Sequence, residues 1–157
     1  MFENEKILAK QRFTEFLETK KMRKTPERFK ILEAIYSQST FFDAEKIKEL
    51  LQNEFPVSLA TIYNTFDLLL QCNLIIRHTF DLRVVKYEKT PFGSNHYYRI
   101  CMQCGNYKEF TDLKLKKRIS LKEFSAFKTQ HHSLYFYGIC KKCEQKNKKK
   151  IIGNFGR

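Results

Sequence analysis

Two short cysteine pairs carry the sharpest chemistry in the sequence: Cys101-Met102-Gln103-Cys104 and Cys140-Lys141-Lys142-Cys143, with 35 residues between them. A two-residue spacing lets both thiolates approach one side of a metal ion, and two such pairs complete a tetrahedral, all-thiolate zinc site. Gly105, directly after the first pair, offers the permissive backbone that a tight metal knuckle needs. Four protein thiolates close the coordination shell, which points to structural zinc, one ion per chain, and away from zinc catalysis. One pair alone would equally suit a thioredoxin-like dithiol; the second pair favours zinc. The fifth cysteine, Cys72, reads as a small buried hydrophobe.

A second constellation lies upstream. Ser58 can cap a helix running to about Cys72, on which Leu59, Ile62, Phe66, Leu69 and Leu70 share one face. The other face carries Ala60, Thr61, Asn64 and Asp67, with Tyr63 at the border. That face is short-chained and nearly uncharged, whereas a helix facing only water usually carries more Lys and Glu. It suits close approach to a partner, although the pattern alone leaves a solvated face open.

The elements that must position these groups follow from local signals. Helical spacing runs from about Asn4 to Lys20. Thr25-Pro26-Glu27 opens a second helix that reaches about Ser37, and Asp43 caps a third carrying Ile47, Leu50 and Leu51. After the Ser58 helix, two β-rich runs, 74–80 and 83–88, lie close enough for a hairpin. Helices followed by a basic hairpin make a winged-helix order, in which the last helix enters the major groove. Pro91, Gly93, Ser94 and Asn95 mark a boundary. Beyond it we expect strands at 96–101 and 106–110, a helix from about Asp112 to Phe124, and a long strand from Phe127 to Tyr137. The reading is α+β: a winged-helix domain over 1–90, a small zinc-stapled α/β domain over 91–145, and a basic tail over 146–157 expected to lack structure.

Composition is consistent with this layout. Of 157 residues 42% are hydrophobic, enough for packed cores, and the net charge of +13 favours a polyanionic partner. No run of 18 apolar residues is present, so no membrane span is expected, and the N-terminus lacks the apolar core of a signal peptide. A cytoplasmic location is expected, where cysteines serve as metal ligands before disulfides.

Four motifs together resemble the ferric uptake regulator family, which includes iron-, zinc- and peroxide-sensing regulators. They are Arg23-Lys24-Thr25-Pro26-Glu27-Arg28, then Ser58-Leu59-Ala60-Thr61-Ile62-Tyr63-Asn64, the run from His96 to Gly105, and the run from His131 to Cys140. The resemblance implies a homodimer that binds a palindromic operator in double-stranded DNA. Tyr63 and Asn64 would face the major groove, supported by Ser58 and Thr61, and Arg23 and Arg28 would hold phosphates. It further implies a second, regulatory divalent metal (Fe2+, Mn2+ or Zn2+) near the hinge, for which Glu88, His96, Glu109 and His132 are the candidate ligands.

The chain departs from the family there. Phe41 and Tyr98 stand where the family usually has histidines, and Asn95, Tyr97 and Lys116 occupy positions of a further site from which only His132 survives. Glu88, His96 and Glu109 could still form a three-ligand face completed by water, at lower affinity. Alternatively they are hydrogen-bonded within the sheet, and packing of groups such as Phe41 and Tyr98 replaces the metal. The function expected is DNA-binding regulation of metal homeostasis or peroxide stress. A redox switch, in which oxidation of the four-cysteine site releases DNA, is the alternative. No nucleophile sits beside a base, so an enzyme is not expected.

Overall fold

The computed structural model describes residues 2–39, 41–81, 84–90, 96–120, 122, 124–129 and 132–154. The chain divides into two units, 1–92 and 93–157. The first holds α1 (Phe2–Thr19), α2 (Pro26–Tyr36), α3 (Ala44–Leu51), α4 (Leu59–Gln71), β1 (Ile75–Asp81) and β2 (Val84–Lys89).

Local chemistry sets the helix starts. Thr25 stands in extended backbone before Pro26 but makes no side-chain cap; the fixed φ of Pro26 opens the first turn of α2. Asp43 accepts the Lys46 N–H at 2.9 Å, and Ser58 accepts the Thr61 N–H at 3.1 Å. At the other end of α4, Asn73 takes a left-handed φ of 55° and the Leu74 N–H closes on the Leu69 carbonyl at 2.8 Å. That turn aims the chain straight into β1.

The apolar face of α4, with Ile62, Phe66 and Leu69, is fully buried against a core built from Phe13, Leu17, Ile31, Ile35 and Ile47. One further contact fixes the hairpin to this core. Phe42 forms a β-bridge with Tyr87, exchanging N–H to carbonyl bonds of 2.9 and 2.7 Å. The rings of Phe42, Phe66 and Tyr87 then meet at centroid distances of 4.7–6.3 Å. The hairpin therefore stands beside α4 through packed aromatics, in the manner of a wing. Its strands pair antiparallel from Ile75↔Lys89 to Asp81↔Val84, with an irregularity between Thr79 and Asp81.

The second unit holds β3 (His96–Cys101), β4 (Tyr107–Phe110), α5 (Leu113–Ser120), β5 (Ser133–Gly138) and α6 (Lys141–Asn154). The sheet order is β4-β3-β5, with β4 antiparallel and β5 parallel to β3. Three sequence expectations need adjustment. The helix expected to reach Phe124 ends at Ser120. The strand expected from Phe127 begins only at Ser133, because β3 offers six positions and β5 pairs with it from His96↔Ser133 to Cys101↔Gly138. Residues 124–127 instead close a tight turn through a Phe124↔Phe127 bridge, with Ala126 at a φ of 56°. The tail expected to lack structure from 146 is helical as far as Asn154. Its run of Lys, Gln and Asn contains no Gly or Pro before Gly153, and anchoring of its first turn through Cys143 removes the nucleation cost that a free peptide would face.

Candidate zinc centre and nucleic-acid interface

The β3–β4 turn and the start of α6 bring four sulfurs together. One ligand atom from each of Cys101, Cys104, Cys140 and Cys143 lies within 4.8 Å of the others. The Cys104 and Cys140 sulfurs are 3.9 Å apart; tetrahedral zinc with bonds near 2.3 Å separates its sulfurs by roughly 3.8 Å. Gly105 holds the knuckle with a φ of 69° and donates its N–H to the Cys101 carbonyl at 2.9 Å. The Met102 N–H reaches the Gly138 carbonyl at 2.8 Å, and Gln103 and Asn147 exchange two amide hydrogen bonds of 3.1 and 3.0 Å. The knuckle is thus laced to the end of β5 and to α6.

The backbone also prepares the thiols. The Cys140 N–H donates to the Cys101 sulfur at 3.3 Å, and with the Cys104 N–H it pulls the Cys101 thiol down to about 6. Burial pushes Cys143 up, to about 12, and the neighbouring thiols reinforce that rise. One thiol eased toward the thiolate beside a buried one that resists ionising is the charge logic of a site that a cation completes. Donor set and spacing fit zinc, which Cys101, Cys104, Cys140 and Cys143 would hold as a structural ion.

On α4, Ala60, Tyr63, Asn64 and Asp67 are exposed, and Tyr63 retains 43% of its surface. Thr61 is half-buried; its hydroxyl lies 2.9 Å from that of Ser58. The Thr65 hydroxyl, buried one turn on, donates to the Thr61 carbonyl at 2.8 Å. These hydroxyls bond within α4 and its cap and leave the exposed face to Ala60, Tyr63, Asn64 and Asp67. Before α2, Arg23 is exposed, and the Arg28 guanidinium donates to the Arg23 carbonyl, so one arginine braces the turn that presents the other.

Glu88 has a partner that the sequence reading missed. The fully buried His78 donates through Nε2 to the Glu88 carboxylate at 3.1 Å. The Phe41 ring packs edge-on against His78 at 4.8 Å. The signal was present in the hairpin: His78 lies opposite Lys86, two residues before Glu88, so side-chain alternation puts all three on one face. On that same face Lys86 pairs with Asp43, the α3 cap. Burial opposes ionisation of Asp43, but the Lys86 ammonium and the Lys46 N–H outweigh it and hold the carboxyl below its usual range.

In the second unit, Glu109 is exposed on β4 opposite Tyr98, whose ring stacks on Tyr135 at 6.1 Å. His132 lies with Tyr97 instead, its Nε2 3.5 Å from the Tyr97 hydroxyl at the outer limit of a hydrogen bond. Tyr97 and Tyr98 are successive residues of β3, so His132 and Glu109 belong to opposite faces of the sheet. His96 begins β3, and its side chain lies outside the described residues. Among the described residues, the four cysteines form the one cluster of three or more metal-ligating side chains.

Four helices and a wing, followed by an α/β unit stapled through four thiols, define a two-domain, zinc-containing winged-helix protein. The chain belongs to the ferric uptake regulator family, whose sequence model matches residues 19–137. The peroxide operon regulator of Bacillus subtilis (strain 168) is 31% identical over 144 residues, covering 88% of this chain and 98% of its own. The ferric uptake regulator of Helicobacter pylori shares the fold, with a TM-score of 0.69 over 92% of this chain and 94% of its own at 20% identity. That of Pseudomonas aeruginosa, solved with manganese, gives 0.67 over 80% and 95% at 26% identity. Regulators of this family are DNA-binding transcription factors, not enzymes. No described helix is long and apolar enough to cross a membrane.

Proposed function

We propose that this chain is a cytoplasmic homodimer that binds a palindromic operator in double-stranded DNA and regulates genes of metal homeostasis or peroxide stress. The observation that carries the reading is the exposed face of α4, nearly uncharged but for Asp67, where Tyr63 and Asn64 project from a helix whose opposite face is locked into the core. Asn64 can pair with an adenine edge and Tyr63 can touch a thymine methyl or a phosphate, while Ser58 and Thr61 fix the start of the helix. Arg23, presented by the Arg28 brace, holds a phosphate beside the groove. The dimer is supported by β5, an edge strand on which Phe136, Tyr137 and the following Ile139 remain about half exposed. Replacing Asn64 with alanine should weaken operator binding by about 1–3 kcal/mol, roughly 5- to 150-fold, with binding to random duplex unchanged. Fluorescence anisotropy on both duplexes checks this, and an equal loss on both would sink the base-reading role.

For regulation, Glu88, His96 and Glu109 are the residues through which a divalent ion would act, with His132 on the far face of the sheet. A metal that takes the Glu88 oxygen bonded to His78 must displace that hydrogen bond. A hydrogen bond to a charged carboxylate contributes about 1.5–3 kcal/mol, which would weaken a metal roughly 10- to 150-fold. His78→Leu should therefore tighten Mn2+ binding, read by titration calorimetry on the zinc-loaded protein. Weaker binding in that variant would make His78 a ligand instead of a competitor.

The second reading, oxidation of the four-cysteine site, draws on the exposure of Cys104 at the surface of the cluster. It requires zinc to leave under mild peroxide, which a chromogenic chelator would register.

A further inference from the structure

The charge of the chain is not where the recognition helix is. Residues 1–92 hold fifteen Lys and Arg against thirteen Asp and Glu, a net +2; residues 93–157 hold fifteen against four, a net +11. In the first unit the cations are largely offset, with Lys24–Glu18, Lys30–Glu33, Lys86–Asp43 and Lys89–Glu5 formed as ion pairs. In the second unit four acids cannot neutralise fifteen cations, whatever pairs they form. We propose that the second unit is itself a DNA-contacting surface: the exposed faces of α5 and α6 bind the phosphates of the duplex held by the first unit, without reading sequence.

The arrangement of the cations supports this. On α5, Lys114 and Arg118 are one turn apart on the exposed side, and on α6 Lys142 and Lys146 repeat the spacing. Like charges at i,i+4 destabilise a helix by a few tenths of a kcal/mol per pair. Lys141 and Lys142 also occupy the first turn of α6, with Glu144 as its one acid, where the helix dipole disfavours positive charge. A face meant only for water would interleave acids. These positions instead accept a cost in folding that a polyanion would return on binding, through release of its condensed counterions. The choice of duplex DNA over other polyanions follows from connectivity. Once the first unit engages an operator, the second is tethered to the same molecule, and the phosphates reach it at an effective concentration near millimolar.

The inference rests on the chain's being a DNA-binding regulator. That reading fails separately, if a selected duplex binds no more tightly than a random one. The test uses the full, zinc-loaded chain and a variant with Lys114, Arg118, Lys142 and Lys146 all changed to Gln. Anisotropy with a random-sequence 40-base-pair duplex is followed across a series of KCl concentrations. The slope of log affinity against log salt should fall by about 0.9 for each contacting cation, up to about 3.6, and affinity should drop about tenfold or more. Acetylation of the wild-type protein, read by mass spectrometry, should show Lys114, Lys142 and Lys146 protected by that duplex, a readout independent of whether the variant folds. An unchanged slope together with unprotected lysines would overturn the proposal. So would a variant that keeps full duplex binding but loses binding to single-stranded RNA or to phosphatidylserine vesicles.

Discussion

Replacing Cys143 with serine should strip the second unit of its zinc and of its fold together. Cys143 is buried in the first turn of α6, and its sulfur belongs to a cluster that joins β3, the knuckle and the end of β5. The two cysteine pairs are far apart in sequence, so the metal closes a long loop in a unit of only 65 residues. Structural zinc contributes on the order of 10 kcal/mol or more in small metal-dependent peptides. Whole domains are stable by only about 5–15 kcal/mol, so a small unit has nothing comparable to replace the ion. We expect metal analysis to find no tightly held zinc in the variant, circular dichroism to lose the share of sheet signal that β3, β4 and β5 supply, and gel filtration to show a monomer. The helices of the first unit should persist, because its core is built from residues before 92. Cys72→Ser is the control: Cys72 sits outside the cluster, where burial raises its thiol to about 11, and zinc content should not change. A Cys143→Ser chain that kept one zinc and its dimer would show that the four thiols do not hold the metal.

Phe66→Ala should have the next largest effect, and on the other unit. Phe66 is fully buried beneath the exposed face of α4, and its ring meets Phe42, Tyr87 and Tyr63. Large-to-small changes at such aromatic positions cost about 3–5 kcal/mol, from lost transfer energy and the cavity left behind. The loss should be more than thermodynamic. Phe66 joins α4 to the bridge between Phe42 and Tyr87 that fixes the wing, so if α4 reads DNA as proposed the variant should bind it less well even where it remains folded. Thermal unfolding should show the first unit melting much earlier while zinc content stays at one per chain. Unaltered melting would mean that the core is not organised around this residue.

Helix starts were legible because their signals are local: Asp43 and Ser58 cap their helices as their residue types demand, and Pro26 opens α2. The cysteine spacing was legible for the same reason, since two short pairs dictate one tetrahedral site. What escaped depends on partners remote in sequence. The start of β5 is set by the length of β3, so a β-prone stretch containing Phe127 stays out of the sheet. Helix α6 outlasts its expected end because Cys143 and the Gln103–Asn147 pair anchor it. The His78–Glu88 pair needs the hairpin register before the two residues become neighbours. The charge asymmetry was countable from the start, but acquires meaning only once a boundary divides the chain.

Whether α4 reads DNA sequence is decided by selection from a pool of random duplexes with the zinc-loaded full chain. The selected pool should be enriched in one inverted-repeat sequence with half-sites about one helical turn apart, bound at least about a thousandfold more tightly than random duplex, and Asn64→Ala should cut that preference roughly 5- to 150-fold. A pool that emerges unenriched, or a preference that Asn64→Ala leaves intact, would contradict sequence reading by α4.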